Sequence, residues 1–265
     1  LADPAPIAQT FINVPFLNEH FILDAVLTVV DSKNFLYQTA HQPEPAKQVG
    51  FADKIFMSKH SLVDETIYAK VINEVRSINA FAEIQDLDAR PVHMSDMFGL
   101  ELFYASEKKI LEMQEHAEEE YCEECGHTHA HGDHDHEHHH HDHDHDHEHE
   151  HHDHDHEHHH HHSHSHHSGI NSFVIETDKP LVLANINEWL NELVYIYGPE
   201  LYRYKGILNV EGLDYQIIFQ GVQMSFDISR GRDWKDTKRG STLVFIGKNL
   251  PENQLRESFI ACTEK

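Results

Sequence analysis

The chain has 265 residues, enough for one large domain or two of ordinary size. Its 20 Lys and Arg face 46 Asp and Glu, a formal charge of −26 that disfavours nucleic acid and anionic membranes as partners. No apolar run is long enough to span a membrane, and three cysteines are too few for a disulfide framework, so a reducing, cytoplasmic setting is expected.

The first residue is Leu1 rather than Met, and no secretory signal is visible, so the chain reads as a processed form or a piece of a longer one. Composition changes twice along it. Residues 1–105 look globular, residues 106–169 are polar, acidic and His-rich, and residues 170–265 look globular again. Two folded parts joined by a solvated, disordered insert are expected.

In the first part, the β-branched run at 25–31 predicts a strand buried on both faces, as in a parallel sheet. Residues 54–58 predict a second strand. Residues 62–78 carry Ile67, Val71, Ile72 and Val75 at helical spacing. Pro43 and Pro45 punctuate the connection between the strands. This is an α/β unit whose sheet looks incomplete by itself. In the last part, residues 172–176 and 181–183 flank a turn at Asp178-Lys179-Pro180, and a helix is predicted over 187–197. Strands are predicted over 202–210, 215–226 and 241–246, and a closing helix over 252–261. The pattern is α+β with an antiparallel sheet.

The segment between the two parts carries the chemistry. Of 30 His, only His20, His41, His60, His93 and His116 lie outside a dense run, which leaves 25 between His127 and His167. Neutral imidazole is the commonest ligand for zinc, and it also suits nickel and copper. Interleaved carboxylates add oxygen ligands and a field that favours a divalent cation. At three or four ligands per ion, the capacity is at most roughly six to eight ions. Cys122, Cys125, His127 and His129 form a C-x2-C-x-H-x-H cluster that fits one tighter tetrahedral Zn2+ site. His131, His134, His136, His138, His143, His145, His147 and His149 continue the ligand string among Asp and Glu. Cys262, at a predicted helix end, reads as a packed thiol.

The opening Leu1-Ala-Asp-Pro-Ala-Pro-Ile-Ala-Gln-Thr-Phe11 resembles the segment after the Walker B region of CobW-type GTPases. Residues 25–31 resemble that family's next core strand. Arg203-Tyr204-Lys205-Gly206, Gln220-Gly221-Val222 and Leu243-Val-Phe-Ile-Gly247 resemble its C-terminal domain. The resemblance implies a partial P-loop GTPase-type sheet over 1–105, its C-terminal part, and a CobW-type α+β domain over 170–265. It also implies GTP hydrolysis coupled to delivery of zinc, another metal or a cobalt cofactor to a metal-dependent client protein.

Three departures qualify the resemblance. No Gly-x-x-x-x-Gly-Lys-Ser/Thr loop occurs in these residues, so GTP and Mg2+ are expected only in a longer parent, and this chain is expected not to hydrolyse GTP. The guanine-reading Asn-Lys-x-Asp is matched by Ser58, Lys59, His60 and Ser61: Lys59 still suits the base, but Ser61 offers no carboxylate. Gln223 stands where many relatives carry His. Arg230, Arg232, Trp234, Lys238 and Arg239 read as a basic turn, either solvated or facing an acidic partner. The leading reading is part of a GTP-dependent zinc chaperone. The alternatives are a passive zinc store without nucleotide chemistry and a client-binding module.

Overall fold

The computed structural model describes residues 3–103, 169–235 and 237–264. The His-rich segment, with its expected disorder, lies outside the described residues.

The first part is a three-stranded parallel sheet, β1 (Leu27–Asp31), β2 (Lys54–Ser58) and β3 (Glu83–Asp86), in that spatial order. Helices α1 (Ala5–Asn13) and α2 (Pro15–His20) precede it, and α3 (Phe35–His41) and α4 (Glu44–Phe51) connect β1 to β2. Pro43 and Pro45, which read as loop punctuation, start α4 instead. The first turn of a helix has no acceptor for its N–H groups, so a missing N–H costs nothing there. Helix α5 (Glu65–Ile78) begins where the Asp64 carboxylate accepts the Ile67 N–H at 2.9 Å. Its Val71, Val75 and Ile78 form one stripe that joins Val30, Ile55 and Met57 of the sheet and Ala46 and Val49 of α4 in a single core.

Strand β1 departs from the expected burial on both faces. Val30 is buried, but Val29 on the opposite face is 64% exposed. Among the described residues β1 pairs with β2 alone, and helices α3 to α5 gather on the Val30 face and leave the Val29 face uncovered.

The second part is a five-stranded antiparallel sheet. Its strands are β4 (Ile170–Thr177), β5 (Leu201–Leu208), β6 (Tyr215–Val222), β7 (Ser225–Asp233) and β8 (Ser241–Lys248), in the order β4-β8-β5-β6-β7. Helices α6 (Leu183–Tyr197) and α7 (Glu252–Ala261) cover one face through Trp189, Leu193, Leu255 and Phe259, against Phe173, Tyr204, Phe219 and Phe245. Residues 181–183 are not a strand: Leu181 makes one bridge to Val210, and Leu183 opens α6. The single strand expected over 215–226 is a hairpin, turned at Gln223 with φ 53°. Cys262 is a packed thiol, buried and pushed up to about 11 by desolvation.

Alternation along β5 sends Tyr204 to the helix face, and Arg203 and Lys205 to the other. There they meet the first part around one carboxylate. Asp53, just before β2, is 2.7 Å from Lys205 Nζ and 3.4 Å from Arg203 Nη2, while its other oxygen accepts the Val26 N–H at 2.9 Å. Lys205 also donates to the Leu102 carbonyl, and Arg203 to the Phe103 carbonyl, each at 2.6 Å. The Arg203 guanidinium lies over the Phe103 ring at 3.6 Å. Apolar contact is continuous across the joint, because Ile170, Tyr202, Val222 and Ile246 belong to the same core as Val49 and Phe51. Helix α1 adds two bonds to the β6–β7 turn, Gln9 to Gln223 at 3.1 Å and Asn13 to Ser225 at 2.7 Å.

Burial by itself would raise the Asp53 carboxyl, but Arg203 and Lys205 outweigh it and hold it below the usual carboxylate range. Its stabilising effect is therefore present above about pH 4 and is lost as pH falls through the depressed value. Asp53→Ala leaves two buried cations without their anion, and we expect it to cost about 3–5 kcal/mol in urea unfolding at neutral pH. A loss below about 1 kcal/mol, the scale of an exposed ion pair, would show that the joint is solvated in solution.

Candidate functional site

The three parallel strands end together at Asp31, Ser58 and Asp86. Open α/β sheets bind ligands at this carboxyl edge, where loops leave the strands and backbone groups face outward. The rim here is built from the turns at 31–34, 59–62 and 87–89.

Lys59 follows β2 in the left-handed conformation, φ 60° and ψ 28°. Its Nζ is 2.7 Å from Asp31 Oδ2, and Asp31 also accepts the Lys33 N–H and the Asn34 amide. Burial raises the Asp31 carboxyl, but Lys59 and Asn34 more than reverse this and hold it low. Ser58 turns back into the sheet and donates its hydroxyl to the Val30 carbonyl at 2.9 Å. Ser61 is exposed, and its N–H donates to Asp88 Oδ2 at 2.7 Å. Of the three residues matched to base recognition, Lys59 and Ser61 therefore face the rim, and Ser58 serves the strand.

His60 lies inside a small network. Its Nδ1 is 2.6 Å from Asp86 Oδ2, its Nε2 is 3.3 Å from Glu65 Oε1, and its ring stacks on Tyr68 at 3.6 Å. Tyr68 donates to the same Asp86 oxygen at 2.9 Å. The other oxygen, Asp86 Oδ1, accepts the N–H groups of Asp88 and Ala89 at 2.9 and 3.3 Å, which fixes the turn after β3. Desolvation and Asp86 together push the Tyr68 phenol up, so it stays a donor. Burial lowers His60, but Asp86 and then Glu65 outweigh it and raise the imidazole above its ordinary value.

Sequence reasoning missed Asp31, Asp86 and Asp88. Asp86 ends β3 and Asp88 lies in the turn after it, and the strand's Glu-Ile-Gln-Asp lacks the apolar alternation that would have marked it. The cations of the expected basic turn are dispersed: Arg230 pairs with Asp233, Lys238 with Asp178 and Arg239 with Asp214, while Trp234 is buried. Among the described residues, no three His, Cys, Asp or Glu are grouped to hold a metal ion. Every metal ligand expected from the sequence, from Cys122 to His149, lies outside the described residues.

A raised imidazole stabilises the fold when protonated. The contribution of His60 should be complete below about pH 6.5 and decline as pH rises through its folded value. Melting of the chain and of His60→Ala, compared across this range, should show the largest gap at the acid end. A gap that stays constant or widens with pH would contradict the charged contact to Asp86.

The chain matches two family descriptions: the CobW/HypB/UreG nucleotide-binding domain over residues 1–86, and the cobalamin synthesis protein cobW C-terminal domain over residues 170–263. It is 26% identical over 259 residues to the zinc chaperone YjiA of Escherichia coli, covering 98% of this chain and 67% of that protein. The crystal structure of the Zn(II)-bound YjiA GTPase superposes with a TM-score of 0.71 at 26% identity, over 98% of this chain and 68% of that one. A Zn(II)-bound triple mutant of the same GTPase gives the same TM-score and coverage. The chain thus spans about two thirds of these relatives. Two matched modules in the family's order, folded as a parallel sheet followed by an antiparallel one, mean that the chain belongs to the CobW family.

Proposed function

We propose that this chain is the base-binding and metal-carrying portion of a nucleotide-dependent zinc chaperone that acts in the cytoplasm and passes zinc to a metal-dependent client. One observation carries the reading: a segment with 25 His in 41 positions, from His127 to His167, is placed between the two CobW modules of a chain similar to a zinc chaperone. Zinc here is cargo. Cys122, Cys125, His127 and His129 form the tighter acceptor, and the alternating His beyond them form a loose, multiple store. Among the described residues no helix is long and apolar enough to cross a membrane.

The rim fits the base end of a nucleotide. The aliphatic stem of Lys59 offers a surface for the base, and exposed carboxylate at the rim accepts ring N–H groups. The 265 residues hold no Gly-x-x-x-x-Gly-Lys-Ser/Thr cradle for phosphates. GTP supplies the free energy of phosphoryl release when bound in a complete site, and the residues described here bind and orient only its base. A passive zinc store is the second reading, favoured by the density of equivalent ligands, which suits buffering.

Titration of the chain with zinc near neutral pH should load several ions, up to roughly six to eight. Near pH 5, protons compete for imidazole and uptake should fall sharply. One ion or fewer per chain would end the carrier reading. To separate chaperone from store, zinc handover to a chelator is timed in the full-length polypeptide with and without GTP and Mg2+. Acceleration by GTP supports the chaperone, and equal rates leave the passive store.

A further inference from the structure

The rim lacks a carboxylate at the position where the turn after β2 would read a guanine. Residue 61 is Ser. The edge of guanine presents two donors side by side, the ring N1–H and the exocyclic N2 amino group, and a carboxylate matches both because it only accepts. A hydroxyl cannot. The structure brings a carboxylate to the same place from a different strand. Asp88, on the turn after β3, puts Oδ2 2.7 Å from the Ser61 backbone nitrogen. Asp88 is exposed, and a carboxylate has about four lone-pair sites, so accepting from Ser61 leaves capacity facing solvent.

The turn that carries Asp88 is braced from below. Asp86 Oδ1 holds the Asp88 and Ala89 N–H groups, and Asp86 Oδ2 is fixed by His60 and Tyr68. His60 sits between Lys59 and Ser61 in sequence, so the same network ties the turn after β2 to the turn after β3. Lys59 faces the rim from one side of this pair, with its ammonium on Asp31.

We propose that Asp88 is the residue that reads the guanine edge, with Ser61 orienting its carboxylate and Asp86, His60 and Tyr68 positioning the turn that bears it. This rests on the nucleotide-binding reading above. It assigns base specificity to a residue 27 positions downstream of the one the sequence pattern indicates.

A base swap separates reading from mere bracing. Asp88→Asn keeps the shape but turns one acceptor into a donor. Xanthine has a carbonyl where guanine has the amino group, so it offers one donor and one acceptor to that amide. Binding of GTP, ITP and XTP to the full-length polypeptide is measured by displacement of a fluorescent nucleotide, without reference to hydrolysis. The unmodified protein should prefer GTP over ITP, which lacks the amino group, and over XTP. Asp88→Asn should lose about ten- to hundredfold in GTP affinity, the scale of a charge-assisted hydrogen bond, and gain XTP binding. The exchange Ser61→Asp with Asp88→Ser should return the preference to GTP, and it keeps the test decisive if the first variant folds poorly.

Equal weakening of GTP, ITP and XTP in Asp88→Asn, with no gain for XTP, would reduce Asp88 to a brace of the Ser61 turn and overturn the assignment. If the unmodified polypeptide binds no purine nucleotide, the nucleotide reading itself fails, which is a different result from a protein that binds GTP without regard to Asp88.

Discussion

One buried carboxylate fixes the geometry of the molecule. The Asp53 side chain is buried, so its charge requires Arg203 and Lys205, and they require it. Those two cations come from the middle of the antiparallel sheet, and each donates one further bond, Lys205 to the Leu102 carbonyl and Arg203 to the Phe103 carbonyl. The joint therefore ties together the start of β2, the second domain and the last described residues before the His-rich segment. Because Asp53 immediately precedes β2 and Lys59 immediately follows it, joint and rim sit at opposite ends of one five-residue strand. At about 3.3 Å per residue, they are roughly 17–20 Å apart along a strand that is buried for four of its five residues.

The short motifs that resemble the CobW C-terminal domain have separate physical jobs on the two faces of the second sheet. In Arg203-Tyr204-Lys205-Gly206 the two cations serve the joint, while Tyr204 turns into the helix-side core. Its hydroxyl reaches the carbonyls of Gln223 and Ser225 at 2.9 and 3.2 Å. Its ring lies over Gly221, where any Cβ would collide with it, so the Gly of Gln220-Gly221-Val222 makes room for that Tyr. Gln223 spends its amide on Gln9 of α1 and the Pro199 carbonyl. In this chain that position is a clasp between the N-terminal helix and the hairpin turn.

Strands and helices with strong local patterns were legible in the sequence. β2 and α7 have the predicted bounds, α5 and α6 have shifted starts, and α5 buries Val71 and Val75 of its predicted face but leaves Ile67 40% exposed. Helices α1 to α4 were missed because each is nine residues or fewer and three of them begin at prolines, which read as breaks. The hairpin inside 215–226 was missed because its turn uses Gln223 and Met224 in place of the usual Gly or Asn. The rim was half legible. The turn after β2 carries a recognisable pattern, but Asp86 and Asp88 meet it only across 26 and 27 residues, through the pairing of β2 with a strand that has no apolar signature. Likewise nothing local marks Asp53, whose partners lie 150 and 152 residues away.

We propose a division of labour in which the rim of the parallel sheet takes a guanine base and the segment between the domains takes zinc. Amide NMR spectra of the full-length polypeptide, titrated with GTP and separately with zinc, test it most directly. GTP should move the amides of Lys59, Ser61, Asp88 and Ala89 and leave those between Cys122 and His149 in place, while zinc should do the reverse. Unmoved rim amides at saturating GTP, or zinc-induced shifts centred on the rim, would contradict it.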